Sequence, residues 1–250
     1  MTGAACGPGS RFPAAAREAK QGIPASVYPA IILSGALLLL CACEGPAAGY
    51  FPVEPGYEWN YDVSRTMSPL QGLVTQKLIV RSLRPRIEGG NTYYPKIYAN
   101  GRTYFYTRST EGISRRLPGD DGVEQVIGVP LSEGTTWSSK ARLQLFDLPK
   151  KLEDGWNGLS RYMTMDYTIT SLDETVNVPA GHFSRCLRID AVGFLDLPQR
   201  IMLGIRMIKV EQTQWYAPEV GLIKMTRREF AIPNLYPSEY TQVLTSFEQG

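Results

Sequence analysis

The sequence has only one histidine, His182, among its 250 residues. Zinc sites and catalytic triads draw on histidine side chains, so no site that needs two histidines can form. The sequence also lacks the G-x-S-x-G nucleophile elbow, the Walker phosphate loop and the dinucleotide-binding glycine pattern. No motif specifies a reaction, and we expect a protein that is not an enzyme and that carries no cofactor or metal ion.

A surplus of charge of either sign is also missing. The formal net charge is +2, from 26 Lys and Arg against 24 Asp and Glu. Arg11, Arg17, Lys20 and Glu18 are the charged residues of the first 43 positions, which leaves 23 of each sign in the remainder. Binding to nucleic acid depends on clustered Lys and Arg that displace counterions from the phosphate backbone. A formally neutral domain therefore argues against nucleic acid as a partner.

The apolar run from Ala30 to Ala42, AIILSGALLLLCA, is short at thirteen residues. A helix that crosses a bilayer needs about 20 apolar residues, whereas the apolar region of a signal peptide needs about 7 to 15. Basic residues precede the run, and Pro24 and Pro29 interrupt any longer helix. We interpret residues 1–42 as an export signal peptide.

The run ends in Leu40-Cys41-Ala42-Cys43, which resembles the lipobox of bacterial lipoproteins. By this resemblance, Cys43 is linked to diacylglycerol through a thioether, acquires acyl chains such as palmitate, and becomes the N-terminus of a membrane-anchored protein. Cys41 is the weaker candidate, because the bulky Leu40 precedes it. Residue 44 is Glu and not the Asp associated with inner-membrane retention, which points to the outer membrane, facing the periplasm. Residues 43–50 are predicted to be the lipidated cysteine and a flexible tether.

Removal of the signal peptide and acylation of Cys43 leave Cys186 as the only free thiol. An odd cysteine in an oxidising compartment is a candidate for reactivity or intermolecular pairing. Cys186 nevertheless begins a strand-like run that extends to Ala191, where a free cysteine behaves as a small buried hydrophobe. We favour this second interpretation.

The remaining residues, 51–250, are predicted to form a single β-rich envelope domain. Tyr57, Trp59, Tyr61 and Val63 alternate with polar residues, the pattern of a strand with one face in the core. About ten such runs are separated by Gly, Pro, Asn and Asp clusters, and a flat sheet of that width would expose its edges. The fold class is therefore all-β, an antiparallel curved sheet that forms a half-barrel or open barrel.

One short pattern occurs twice in the sequence. Pro52, Gly56 and Trp59 have the same spacing as Pro130, Gly134 and Trp137, so each copy predicts a turn that leads into a strand.

Three segments together resemble a family of bacterial envelope lipoproteins of the TapB-like or DUF3108-like kind: Tyr50 to Trp59, Val178 to Leu187 with its VPAG-x-F turn, and Trp215 to Lys224. Glu219 replaces the glycine that is usual in the last segment. The resemblance implies a curved β-sheet in the envelope and no catalytic residues.

Three functional hypotheses remain open. The first is a non-catalytic module that binds a protein partner or an apolar ligand in the concavity of the sheet, in a pocket without clustered ionisable groups. Candidates for its lining are Tyr93, Tyr94, Tyr98, Tyr104, Phe105 and Tyr106, although aromatic strand residues most often simply pack the sheet. The second is an accessory structural subunit of an envelope complex. The third is a hydrolase that uses carboxylates such as Glu58 and Asp62 or the Cys186 thiol.

Replacement of Cys43 tests the anchor directly. We expect Cys43→Ser to lose the mass of the acyl chains and to change its partitioning between the membrane and soluble fractions, because the thiol that accepts diacylglycerol is removed and Cys41 after the bulky Leu40 is the weaker acceptor. Intact-mass spectrometry and membrane fractionation measure both changes. Unchanged mass and unchanged partitioning would contradict the prediction.

Overall fold

The computed structural model describes residues 46–66, 72–116, 122–145, 162–197, 206–233 and 237–250. The alternation predicted around Trp59 is realised in the first strand, β1 (Glu58–Thr66), where Trp59, Tyr61 and Val63 are buried and the residues between them are partly exposed. Thirteen strands and a short 3₁₀ helix, Pro46–Tyr50, form within the described ranges. The predicted all-β class is thus confirmed. None of the described residues belongs to a helix long and apolar enough to cross a membrane.

The strands, in chain order, are β1 Glu58–Thr66, β2 Leu73–Ser82, β3 Arg86–Glu88, β4 Asn91–Tyr98, β5 Thr103–Ser109, β6 Gly112–Arg116, β7 Val123–Gly128, β8 Thr136–Arg142, β9 Tyr162–Val178, β10 Gly181–Asp196, β11 Met207–Ala217, β12 Gly221–Ile232 and β13 Ser238–Glu248. They form one antiparallel sheet in the order β7-β6-β5-β4-β2-β1-β13-β12-β11-β10-β9-β8, and β3 pairs with β4 beside this path. Most strands therefore pair with the strand that precedes or follows them in the chain. The main exception is the pair of β1 and β13, the first and last strands, which lie side by side in the middle of the sheet.

The two edge strands of the sheet, β7 and β8, meet through side chains and not through a backbone ladder. The indole of Trp137 donates to the carbonyl of Gln125 at 3.1 Å, and the amide of Gln125 donates to the hydroxyl of Ser139 at 2.7 Å. Gly128 makes room for the indole, since a Cβ there would lie 2.6 Å from the Trp137 ring. The sheet is thus an open barrel that is nearly closed, as the sequence predicts.

One end of the barrel is covered by the hairpin of β9 and β10. These strands are far longer than β8, so the hairpin extends beyond it. The ladder between β9 and β10 shifts register on either side of Cys186, and Arg185 has a positive φ of 53°. These irregularities bend the hairpin. The amide of Ala180 at the tip then donates to the carbonyl of Leu244 in β13 at 3.0 Å. We call this covered end of the barrel the capped end.

The N-terminal segment, residues 46–54, packs into the same end. Ala47, Phe51 and Val53 are buried, and the carbonyl of Gly49 accepts a hydrogen bond from the amide of Glu219 at 2.7 Å. The flexible tether predicted for residues 43–50 is therefore too long. Residues 46–50 form a 3₁₀ helix, and the side chain of Ala47 in this helix is buried in the core. Among the described residues, the folded domain therefore begins at Pro46 and not at residue 51.

A buried ion pair lies inside the barrel. Arg227 and Glu229 in β12 are 1% and 0% exposed and approach to 2.8 Å. The guanidinium also donates to the side chain of Gln212 in β11 and to the carbonyl of Arg142 at the end of β8, each at 2.9 Å. The carboxylate accepts the backbone amides of residues 144 and 145 at 3.0 and 3.1 Å. The pair connects β12 to the chain after β8 across the interior.

Replacement of one partner of this pair should destabilise the fold strongly. Glu229→Gln leaves the Arg227 charge buried without its carboxylate, which costs about 3–5 kcal/mol in free energy of unfolding. Urea denaturation of the mature chain measures the loss. As a matched control, Asp62→Asn removes the surface pair with Lys77 and should cost less than about 1 kcal/mol. Equal effects of the two substitutions would contradict the interpretation.

Candidate functional site

The six aromatic residues predicted to line a ligand groove lie on both faces of the sheet. Tyr106 is buried, its ring lies 4.8 Å from that of Phe51, and its hydroxyl is 3.1 Å from that of Tyr98. Tyr94 and Tyr104 pack against the same core. Because strand residues alternate between faces, Tyr93 and Phe105 point to the outside. Four of the six thus pack against the core, and Tyr93, Tyr94 and Phe105 line a groove that lies on the outer face and not in the predicted concavity.

The outer face of the sheet carries a groove of about 840 Å³ across β4, β5, β6 and the start of β7. At its centre, the rings of Tyr93 and Phe105 meet edge to face with centroids 6.5 Å apart. Its lining residues are Gly90, Asn91, Thr92, Tyr93, Tyr94, Phe105, Thr107, Arg108, Ser109, Arg116 and Val123. The groove therefore combines aromatic faces with hydroxyl, amide and guanidinium groups.

Two arginines give the groove a character that the sequence did not predict. The guanidinium of Arg116 donates to the hydroxyl of Tyr93 at 2.8 Å and stands 4.7 Å from the centre of its ring. Arg108 donates to the carbonyl of Phe51 at 3.1 Å and pairs with Glu54 at 3.3 Å. A pocket without clustered ionisable groups was expected, and the two arginines in the lining contradict this expectation for this groove. The sequence signal was available, because Arg108 follows the aromatic run of β5 and Arg116 ends β6.

Another buried cation sits beneath the N-terminal segment. Lys96 is 6% exposed, and its ammonium donates to the carbonyl of Pro52 at 2.8 Å. The ammonium also lies 4.2 Å from the ring centre of Phe51 and 3.8 Å from that of Trp59. The ring faces and the carbonyl favour the charged form, whereas removal from water disfavours it more strongly and lowers the pKa of Lys96 to about 7. Lys96 thus ties the N-terminal segment to the barrel wall.

The residues of the hydrolase hypothesis do not converge. Glu58 forms an ion pair with Arg81, which lowers the pKa of its carboxyl group, and Asp62 forms an ion pair with Lys77. The Cys186 side chain is buried in β10, as predicted, and burial raises the pKa of its thiol to about 11. A thiol with that pKa is almost entirely protonated at neutral pH and is a poor nucleophile.

Two further candidates stay apart from the groove. His182 is exposed at the start of β10, next to the hairpin turn, and its Nδ1 lies 2.6 Å from the side-chain oxygen of Asn177 across the ladder. Within the described ranges, no three His, Cys, Asp or Glu side chains gather in a way that could hold a metal ion. Cys43, the predicted lipidation site, lies outside the described residues.

Comparison with known proteins assigns no family to the chain. No family model and no curated sequence matches it. A solved structure from Bacteroides fragilis, described as an exported protein with a YmcC-like fold, is similar at 16% identity and a TM-score of 0.40, over 80% of this chain and 98% of that chain. A protein from Parabacteroides distasonis described as a lipoprotein is similar at 15% identity and a TM-score of 0.39, with the same coverage of 80% and 98%. A DUF1329 family protein from Desulfovibrio piger shows 14% identity and a TM-score of 0.24, over 77% of this chain and 84% of that chain.

TM-scores of 0.40 and below carry no conclusion about this chain. The resemblance to envelope lipoproteins of the TapB-like or DUF3108-like kind therefore stays a prediction from the sequence.

The buried ammonium of Lys96 predicts a pH dependence of stability. Between its folded pKa of about 7 and its ordinary value of 10.5, the unfolded chain holds more protons at this residue than the folded chain does. The contribution of Lys96 to the free energy of unfolding therefore rises with pH across this window, by up to about 1.4 kcal/mol per pH unit. In urea denaturation from pH 6 to 10, Lys96→Met should lose this rise. A constant difference between wild type and variant at every pH would contradict the prediction.

Proposed function

We propose that this chain is a lipid-anchored lipoprotein of the bacterial envelope and acts as a non-catalytic binding module. The outer groove is its ligand-binding surface, and the acyl chains on Cys43 hold it at the outer membrane, facing the periplasm. The observation that carries the binding role is the groove itself, about 840 Å³ with two arginines beside an aromatic pair. The export signal and the lipobox support the location.

The lining of the groove indicates the class of ligand. The partly exposed rings of Tyr93 and Phe105 offer apolar contact, and the guanidinium of Arg116 beside them offers hydrogen bonds that are strongest to oxygen anions. Thr92, Thr107 and Ser109 add hydroxyl groups around them. The best fit is a ligand with a flat or apolar face next to carboxylate, phosphate or other acceptor oxygens. The sequence suggested a protein partner or an apolar ligand, and the arginines in the lining add acceptor oxygens to what we propose the groove binds.

The two alternative hypotheses have less support. A hydrolase needs an activated group in a cleft, whereas Glu58 and Asp62 are held in ion pairs and the Cys186 thiol is buried with a raised pKa. An accessory structural subunit would favour a broad apolar patch without a pocket. Large apolar side chains are exposed on several strands, Leu73, Ile87, Val123 and Phe194 among them, but Val123 lies within the groove.

Native mass spectrometry of the lipidated protein, purified from its own membrane, tests the groove. We expect a small molecule to co-purify with the wild type. Arg116→Gln and Phe105→Ala should each lower its bound fraction at least about tenfold, because the first removes a charge-assisted hydrogen bond and the second an apolar contact. Arg102→Gln is the matched control, because Arg102 is an exposed arginine between β4 and β5 that does not line the groove. The proposal fails if the wild type carries no ligand or if Arg116→Gln carries as much as the control.

A further inference from the structure

The distance between the predicted anchor and the folded core is short. Ala47 follows Cys43 by four residues and is 2% exposed. Since an extended chain spans at most about 3.6 Å per residue, the Cα atoms of these two residues lie no more than about 14 Å apart. The point where the chain enters the core is therefore held close to the lipid.

The N-terminal segment is fixed to the capped end at several points. Its 3₁₀ helix is bound by the turn between β11 and β12 through Gly49 and Glu219, and by the hairpin arm through the Tyr50 hydroxyl, which donates to the carbonyl of Arg185 at 3.0 Å. The Phe51 ring lies between those of Tyr106 and Tyr216, at 4.8 and 6.5 Å. Pulling the segment out to lengthen the tether would empty part of the core, so the anchor leaves the domain from this end.

We infer that the capped end of the barrel faces the bilayer in which the acyl chains of Cys43 are embedded, so that the near end of the groove lies close to that bilayer surface. This inference rests on the proposed lipidation. It brings lipid head groups within reach of the groove.

The groove begins at the capped end. Ser109 and Asn91, at the end of β5 and the start of β4, line it beside the turn that leads into β6. Its Arg108 binds the Phe51 carbonyl and Glu54 of the N-terminal segment directly. The groove therefore touches the segment that connects the domain to its anchor, eight residues after Cys43.

The hairpin tip at the capped end suits contact with head groups more than insertion into hydrocarbon. The hairpin tip exposes polar or small residues: Asn177, Gly181, His182, Ser184 and Arg185. Its apolar residues Val178, Ala180 and Phe183 pack against the core. Polar and cationic groups are favoured at the interface and costly in the bilayer interior. The end would rest on the membrane surface.

Two matched threonine positions distinguish the ends of the barrel. Thr110 is exposed in the turn between β5 and β6, at the capped end. Thr75 is exposed in β2 opposite Ser64, six residues along β1 from Glu58, which places it roughly 20 Å further from that end at ~3.3 Å per residue. Thr110→Cys and Thr75→Cys each add one accessible thiol, while Cys186 is buried and poorly reactive because of the raised pKa of its thiol.

The experiment labels each variant of the lipidated protein with a maleimide fluorophore and binds it to vesicles of phosphatidylethanolamine and phosphatidylglycerol that contain a lipid with a nitroxide on its head group. We expect the label at position 110 to be quenched at least about threefold more than the label at position 75. Insertion of ten Gly and Ser residues after Gly45 should remove most of the difference, because the longer tether frees the domain to tumble.

Each outcome bears on a separate claim. Equal quenching at the two positions with the native spacing, or stronger quenching at position 75, overturns the orientation while leaving the anchor intact. A wild-type chain that does not float with the vesicles overturns the lipidation and, with it, the orientation. Cys43→Ser, which should not float, provides the baseline for quenching without an anchor.

Discussion

The interior of the barrel depends on one buried ion pair. Burial of Arg227 and Glu229 removes two charges from water, and this cost is offset only because each remaining polar atom finds a partner in Gln212, Arg142 or the amides after β8. β8 and β12 are separated by three strands in the sheet, so the pair fixes their separation across the interior.

The opposite half of the wall is organised around the N-terminal segment. Phe51 fills the space between β5 and β11, and Lys96 binds the Pro52 carbonyl from β4. The segment thus acts as an internal element of the core and not as a spacer. The groove on the outer face of β4 to β7 lies on strands whose inner face this segment supports.

The sequence predicted the fold well where the physics is local. Alternation marked β1, and the paired turns at Gly56 and Gly134 both have positive φ and lead to Trp59 and Trp137 near strand starts. It failed where the outcome depends on contacts distant in sequence. The Gly- and Pro-rich composition of residues 43–50 is that of a tether, yet Ala47 and Phe51 find apolar partners far along the chain. Likewise, the burial of Lys96, Arg227 and Glu229 depends on partners that alternation alone does not reveal.

The seam between β7 and β8 has a consequence for how the barrel moves. Along the rest of the sheet, separating two strands breaks a ladder of backbone hydrogen bonds, whereas between these two only side-chain contacts such as those of Trp137 and Ser139 hold the described strands together. Local opening follows the path with the fewest cooperative bonds. Local opening of the wall therefore begins between β7 and β8. It releases β7, which carries Val123 at the margin of the groove.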